Sequence, residues 1–192
     1  MIPQIIVLYG GVGSEREVSL RSGANMLSAL EAAFPVTGIE LHDASLPPSI
    51  DPECSVVFPA LHGEFGEDGT LQGLMEEAGI TFAGCDAESS RRCMDKQAIK
   101  SLAAEMGIPI PKGLCLDTGE SLSAETIRET IGEDCVVKPC DQGSSVGVEF
   151  ISGADAVATW WQGIRNGRWL IEERIHGREL TVGLLNGKAQ GI

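Results

Sequence analysis

Basic residues are scarce in this chain. Fourteen Lys and Arg stand against 28 Asp and Glu in 192 residues, a net charge of -14. Nucleic-acid binding rests on neutralising phosphates with Lys and Arg, so that balance opposes it. Long apolar runs are also missing, and mean hydropathy is near zero. No stretch approaches the length of a membrane-spanning helix, so no membrane partner is expected. The opening Met1-Ile2-Pro3-Gln4 lacks the basic start of a secretory signal, and the expected location is cytoplasmic. None of the six cysteines forms a Cys-x-x-Cys pair, which argues for buried free thiols over a disulfide framework or zinc site. No Walker A sequence occurs. The dinucleotide fingerprint fails too, because Arg16 stands where its third glycine is required. An anionic ligand would need local cations in so acidic a chain, so each lysine beside a glycine loop becomes a candidate.

Hydrophobic residues make up 43% of the chain, enough for one large domain or two small ones. Gln4–Tyr9 reads as a buried parallel strand ending in Gly10-Gly11-Val12-Gly13. A helix follows from about Ser14 to Ala33, with Ser14 and Glu17 as a capping box and Leu20, Ala24, Leu27 and Phe34 at helical spacing. Strands are expected at Val36–Leu41, Val56–Leu61 and Thr81–Ala83, with a helix near Thr70–Ala78. This alternation predicts a parallel sheet with helices on both faces. From Asp86 to Met106 the pattern is helical with a break near Met94-Asp95. Its second part carries Met94, Ala98, Leu102 and Met106 on one stripe. Further strands are expected at Lys112–Leu116, Cys135–Lys138, Val148–Ile151, Arg168–Glu173 and Glu179–Leu185, with helices at Leu122–Ile131 and Ala154–Ile164. Asn186-Gly187 is a hairpin signal, and a strand beginning at Lys188–Ile192 reads as the start of a domain that continues.

Four stretches carry candidate chemistry. His62–Gly73 joins a strand to a helix through three internal glycines, one histidine and three carboxylates. It is either a tight loop with solvated acids or a ligand-binding junction at a strand's carboxyl end. Glu15 lies in the first turn after the glycine turn, where it either complements the helix dipole or meets a ligand ammonium. Lys96 opens a helix, as a surface lysine or as a phosphate contact. Lys138-Pro139-Cys140-Asp141-Gln142-Gly143-Ser144-Ser145-Val146-Gly147 puts a lysine at a strand end before a turn of small residues. Such a turn offers backbone N–H groups and hydroxyls to an anion, and a flexible polar hairpin is the alternative.

Taken in order, Gly10–Leu20, His62–Gly73, Met94-Asp95-Lys96, Lys138–Gly147 and Glu172–Val182 resemble the D-alanine–D-alanine ligases of the ATP-grasp superfamily. The resemblance covers essentially the whole chain and about two-thirds of the family's usual length. It implies an α/β fold: an N-terminal parallel-sheet, Rossmann-like pre-ATP-grasp domain at 1–93, then an α+β ATP-grasp central subdomain within 94–192, with the C-terminal ATP-grasp part missing. The implied reaction joins two D-alanines with ATP through a D-alanyl phosphate, for peptidoglycan. Glu15 would hold the first D-alanine's ammonium, Ser144 would join that substrate network, and His62 would lie beside the same D-alanine. Lys96 and Lys138 would contact ATP phosphates under a loop of Gly143, Ser144, Ser145, Val146 and Gly147. Glu172 would accept from the adenine amino group, the backbone of Glu173 to Ile175 would line the purine, and Glu179 would bind the ribose.

The resemblance also implies magnesium, but its ligands in the family come from the last third, so no metal ligands are expected here. A homodimer is expected. The polypeptide alone is expected not to ligate, and Leu180–Ile192 is expected to expose strand edges. Two other readings fit the same residues: a split or degenerate paralogue serving as a binding or dimerisation module, and a ligase taking D-lactate or D-serine second.

Overall fold

The structure is a computed structural model that describes residues 3–191. The chain folds in the order β1 (Gln4–Gly10), α1 (Arg16–Leu30), β2 (Val36–Leu41), β3 (Ser55–Pro59), α2 (Thr70–Glu77), β4 (Thr81–Phe82), α3 (Ala87–Met94) and α4 (Lys96–Glu105). It continues with β5 (Gly113–Asp117), α5 (Ala124–Thr130), β6 (Asp134–Pro139), β7 (Glu149–Ser152), α6 (Ala154–Gly163), β8 (Arg168–Glu173), β9 (Leu184–Leu185) and β10 (Lys188–Ala189). Among the described residues no helix is long and apolar enough to cross a membrane.

The first sheet is parallel, in the order β2-β1-β3-β4. Its central strand is covered on both faces, which is why Ile5, Ile6, Val7 and Leu8 form one unbroken buried run. Leu71 and Met75, four apart on α2, pack with Ile6, Leu8 and Val57 on one face. On the other face α1 meets Tyr9 through small residues. A Cβ on Gly23 would sit 2.5 Å from Tyr9 Cγ. Ser19 Oγ accepts from the Gly10 amide at 2.8 Å and donates to the Ala60 carbonyl at 2.7 Å. The expected stripe is packed only in part: Leu20 and Leu27 are half-buried, Leu27 against Gly38 of β2, while Ala24 and Phe34 are exposed and the buried positions are Ser19 and Gly23. Where α1 crosses Tyr9, the close approach selects small residues. Gly23→Ala is accordingly expected to cost about 1–3 kcal/mol by overpacking. Scanning calorimetry reads this as a melting temperature several degrees lower, whereas an unchanged one would mean that α1 stands further from the sheet.

The capping box is not formed either. A backbone turn, Arg16 amide to Gly13 carbonyl at 3.2 Å, precedes α1, which starts about two residues later than expected. Glu15 takes the N-cap position without a side-chain cap.

The second sheet is antiparallel, in the order β5-β8-β6-β7. Helices α5 and α6 cover one face, where Ile127, Val157 and Trp161 pack on Cys135, Val137 and Ile171. Side chains alternate along a strand, so Glu172 on β8 and Lys138 on β6 project from the opposite face. Helix α4 belongs to that side. It buries no residue, and Leu102 and Met106 of its expected apolar stripe are 37% and 68% exposed. Its inward contacts are made by two lysines four residues apart, Lys96 and Lys100.

The expected strand Glu179–Leu185 survives only as Leu184–Leu185. Residues 174–183 have no helix or strand; at their two ends the Arg174 amide donates to the Asp134 carbonyl and the Gly183 carbonyl accepts from the Gln190 amide, both at 2.9 Å. Asn186 and Gly187, both at positive φ, close the β9–β10 hairpin. The expected continuation to Ile192 reaches beyond the described residues. All six cysteines are free, but only Cys135 and Cys140 are buried, and Cys85 and Cys93 are exposed. Burial and Cys115 Sγ, 3.4 Å away, push the Cys140 thiol up to about 12.

Candidate active site

The glycine turn after β1 brings Glu15 to the carboxyl ends of the parallel strands, the edge where ligands bind in α/β sheets. There its carboxylate lies between two loops. One oxygen accepts a hydrogen bond from Ser144 Oγ. The other faces Gly63 so closely that a Cβ on that residue would collide with it. Gly63 has φ 69°, a conformation that favours glycine. A contact across 129 residues of sequence thus joins the first sheet to the loop after β6.

The stretch His62–Gly73 is a braced floor. His62 stands 3.0 Å from Ser22 through Nε2 and 3.3 Å from Glu67 through Nδ1. Glu67 also accepts from the Gly63 amide at 2.8 Å. Asp68 accepts from the Phe65 and Thr70 amides, each at 2.9 Å, and so holds the start of α2. His62 is therefore tied to α1 and to Glu67, and the residue facing Glu15 is its neighbour Gly63.

The loop after β6 leaves Ser144 and Ser145 at φ 46° and 62°. Two successive non-glycine residues in the left-handed region are costly, about 1–3 kcal/mol each, and such strain clusters at functional loops. Among the described residues no hydrogen bond engages the amides of Ser144 or Ser145. Successive outward N–H groups of this kind suit an anion. Below them Lys96 donates from Nζ to the Gln142 carbonyl and from its amide to Cys140, the latter at 2.9 Å. Asp95 caps α4 by accepting from Gln97 and Ala98 at 2.9 and 3.1 Å, and it pairs with Arg168. Burial raises the Asp95 carboxyl, but the Ala98 amide, Arg168 and the Gln97 amide together hold it below the usual range.

Lys96 and the Gln142–Ser145 turn enclose a cleft of about 300 Å³. Burial, and then the charge of nearby Lys138, lower the Lys96 ammonium from the ordinary lysine value. Two cations brought together in an acidic chain favour a polyanion, which would relieve the repulsion between them. Deeper in, Lys138 Nζ stands 2.5 Å from Glu172 Oε2. Glu172 is 3% exposed and also pairs with Lys100. A larger cavity of about 490 Å³ lies between Thr118–Leu122 and α6 and is lined by none of these groups.

Glu15 thus meets Ser144. Lys96 and the Gly143–Ser145 part of the loop line one cleft, and Lys138 meets Glu172 nearby. Val146 and Gly147 do not line the cleft, and Gly147 packs toward Pro139 and Trp169. Glu173 turns away and accepts from the Lys112 amide at 2.9 Å. Ile175 is 66% exposed, Glu179 is exposed, and among the described residues no hydrogen bond or ion pair joins either to Glu172. Sequence reasoning missed Lys100, although its spacing of four from Lys96 on one helix was a usable signal. It also missed Arg168 as the partner of Asp95, and Ser22 as that of His62. Among the described residues no group of three or more His, Cys, Asp or Glu side chains is arranged to hold a metal ion.

A parallel α/β unit followed by an antiparallel sheet, with a lysine-lined cleft beside a turn of small residues, is the architecture of the ATP-grasp class. Residues 40–85 match the model of the D-ala D-ala ligase N-terminus and residues 102–192 that of the D-ala D-ala ligase C-terminus. The chain belongs to the D-alanine–D-alanine ligase family. It is 40% identical to the D-alanine–D-alanine ligase of Granulibacter bethesdensis, over 98% of this chain and 62% of that protein. With the Pseudomonas putida ligase the identity is 37%, over 96% and 58%. The crystal structure of the Bacillus anthracis ligase complexed with ATP superposes with a TM-score of 0.86 at 30% identity, covering 97% of this chain and 64% of that one. The VanG D-Ala:D-Ser ligase of Enterococcus faecalis superposes with a TM-score of 0.74 at 27% identity, over 92% and 64%. The chain therefore spans about three-fifths of the length of these relatives.

Proposed function

We propose that this chain carries the first-substrate pocket and one wall of the nucleotide cleft of a cytoplasmic enzyme that joins two D-alanines at the expense of ATP, for peptidoglycan and hence cell-wall shape. The observation that carries the reading is the Glu15–Ser144 contact, which sets a carboxylate beside the cleft lined by Lys96 and Ser144. Glu15 would bind the first D-alanine's ammonium, with Ser144 sharing the network and His62, braced by Glu67, forming the pocket wall. That D-alanine's carboxylate would attack the ATP γ-phosphate to give D-alanyl phosphate and ADP. The second D-alanine's amine would then displace phosphate from the acyl carbon. Lys96, Lys138 and the Gly143–Gly147 loop would hold the phosphates, since phosphoryl transfer depends chiefly on positioning and charge stabilisation. Glu172 would accept from the adenine amino group, and the 173–175 backbone and Glu179 would complete the purine and ribose contacts.

Residues 1–93 and 94–192 would act as the substrate-binding and nucleotide-binding units, and the working enzyme would be a homodimer. The residues described here do not suit magnesium, so no step is assigned to it on this chain. D-serine as second substrate is the second reading, favoured by the VanG neighbour; the Granulibacter bethesdensis and Pseudomonas putida relatives, at 40% and 37% identity, are named for D-alanine.

The test is phosphate release dependent on ATP and D-alanine. The 192 residues alone are expected to give none. Extended by the C-terminal third of the Granulibacter relative, they are expected to release phosphate only with D-alanine present. Turnover by the 192 residues alone would overturn the first expectation. A folded chimera without D-alanine-dependent release would overturn the function.

A further inference from the structure

We infer that Lys100 is a positioning residue of the nucleotide cleft, fixing Glu172 so that one carboxylate oxygen is presented to the 6-amino group of a purine. The inference rests on the nucleotide reading above and adds to it a residue that sets base selectivity.

Both oxygens of Glu172 are occupied by ammonium groups, Oε1 by Lys100 and Oε2 by Lys138 at 2.5 Å. The carboxylate side chain is 4% exposed, and the two lysine side chains are 14% and 25% exposed. A charge so buried must keep a partner. The two lysines are held differently. Lys100 also donates to the Pro111 carbonyl at 2.8 Å and starts from the middle of α4, so a second acceptor anchors it. Lys138 lies nearer the rim, close enough to Lys96 for its charge to lower that ammonium. Phosphates arriving between Lys96 and Lys138 would draw Lys138 off Glu172 Oε2. Lys100 would stay on Oε1 and balance the charge. The vacated oxygen is acceptor-only, so it would take the 6-amino donor of adenine and refuse the 6-carbonyl of a 6-oxopurine.

Gly113 makes room for this carboxylate. It stands opposite Glu172 in the β5–β8 register, and a Cβ there would lie 2.9 Å from Glu172 Cγ. The β5–β8 pairing is thus close-packed around one orientation of the Glu172 side chain.

The experiment is calorimetric titration of the 192-residue chain with ATP and with inosine triphosphate, which carries a 6-oxo group in place of the amine. The wild type is expected to prefer ATP by about tenfold or more, as fits one hydrogen bond to a charged group. Lys100→Met is expected to bring that ratio below about threefold, and Lys100→Arg to retain it. Should Lys100→Met not fold, Lys100→Gln removes the charge while keeping a donor for the Pro111 carbonyl, and is expected to show the same collapsed ratio. A purely structural role for Lys100 would weaken both nucleotides equally. An undiminished ratio in either uncharged variant therefore overturns the inference while leaving the nucleotide site standing. A wild type that binds neither nucleotide overturns the nucleotide reading and this inference with it.

Discussion

Replacing Lys138 with methionine is expected to weaken ATP binding by about 30-fold or more, roughly 2 kcal/mol, the worth of a hydrogen bond between charged groups. It is also expected to lower stability. Glu172 would keep Lys100 but lose the ammonium 2.5 Å from its second oxygen. Breaking a buried pair costs about 3–5 kcal/mol when nothing remains. With Lys100 in place and Lys138 a quarter exposed, about 1–2 kcal/mol is the expected share. The two effects separate cleanly: titration reads the first, thermal melting the second. Unlike Lys100→Met, this change should weaken ATP and inosine triphosphate alike, because it acts at the phosphate end. Full ATP affinity in a destabilised Lys138→Met protein would make Lys138 a partner of Glu172 and nothing more.

Gly63→Ala is the second large effect. The backbone there has φ 69°, which an alanine adopts only at a cost of about 1–2 kcal/mol. The new methyl would also run into the Glu15 carboxylate, whose Cδ lies 3.4 Å from its position. Glu15 can escape only by leaving Ser144, so the substrate network would break while the lysine cleft stays intact. The expected result is a lower melting temperature, unchanged ATP affinity, and D-alanine affinity reduced about tenfold or more, the scale of one lost charged hydrogen bond. D-alanine binding at wild-type strength in this variant would remove Glu15 from the pocket.

The fold was legible where local chemistry decides it. The bounds of β2 and β8 follow from short strand-like runs between turns. The break between α3 and α4 follows from Asp95, a capping residue directly before Lys96. The buried run Ile5–Leu8 announces a central parallel strand. Legibility failed where a partner distant in sequence decides. Helix α1 packs through Ser19 and Gly23, and a search for large apolar residues passes over both. The stretch 179–183 has strand-forming residues, but among the described residues no strand pairs with it. On α4 the inward contact of Lys100 is made with Glu172, 72 residues away, while Leu102 and Met106 of the expected stripe stay exposed.

The candidate site divides in the same way. From residue types alone Lys138 and the Gly143–Gly147 turn read either as a candidate anion loop or as a flexible polar hairpin. Glu15 was ambiguous until Ser144 met it across the chain. His62 belonged to the right stretch, but its ring is committed to Ser22 and Glu67, and only tertiary contacts reveal that the adjacent Gly63 faces Glu15.

In a chain of net charge -14, Lys96, Lys138 and the Ser144–Ser145 amides are expected to bind a triphosphate together. Titration of the 192-residue chain with ATP, adenosine and inorganic tripolyphosphate tests this. ATP and tripolyphosphate are expected to bind and to compete, with affinity falling as salt rises and lost in Lys96→Ala/Lys138→Ala. Adenosine binding as well as ATP, or ATP binding untouched by the double substitution, would contradict it.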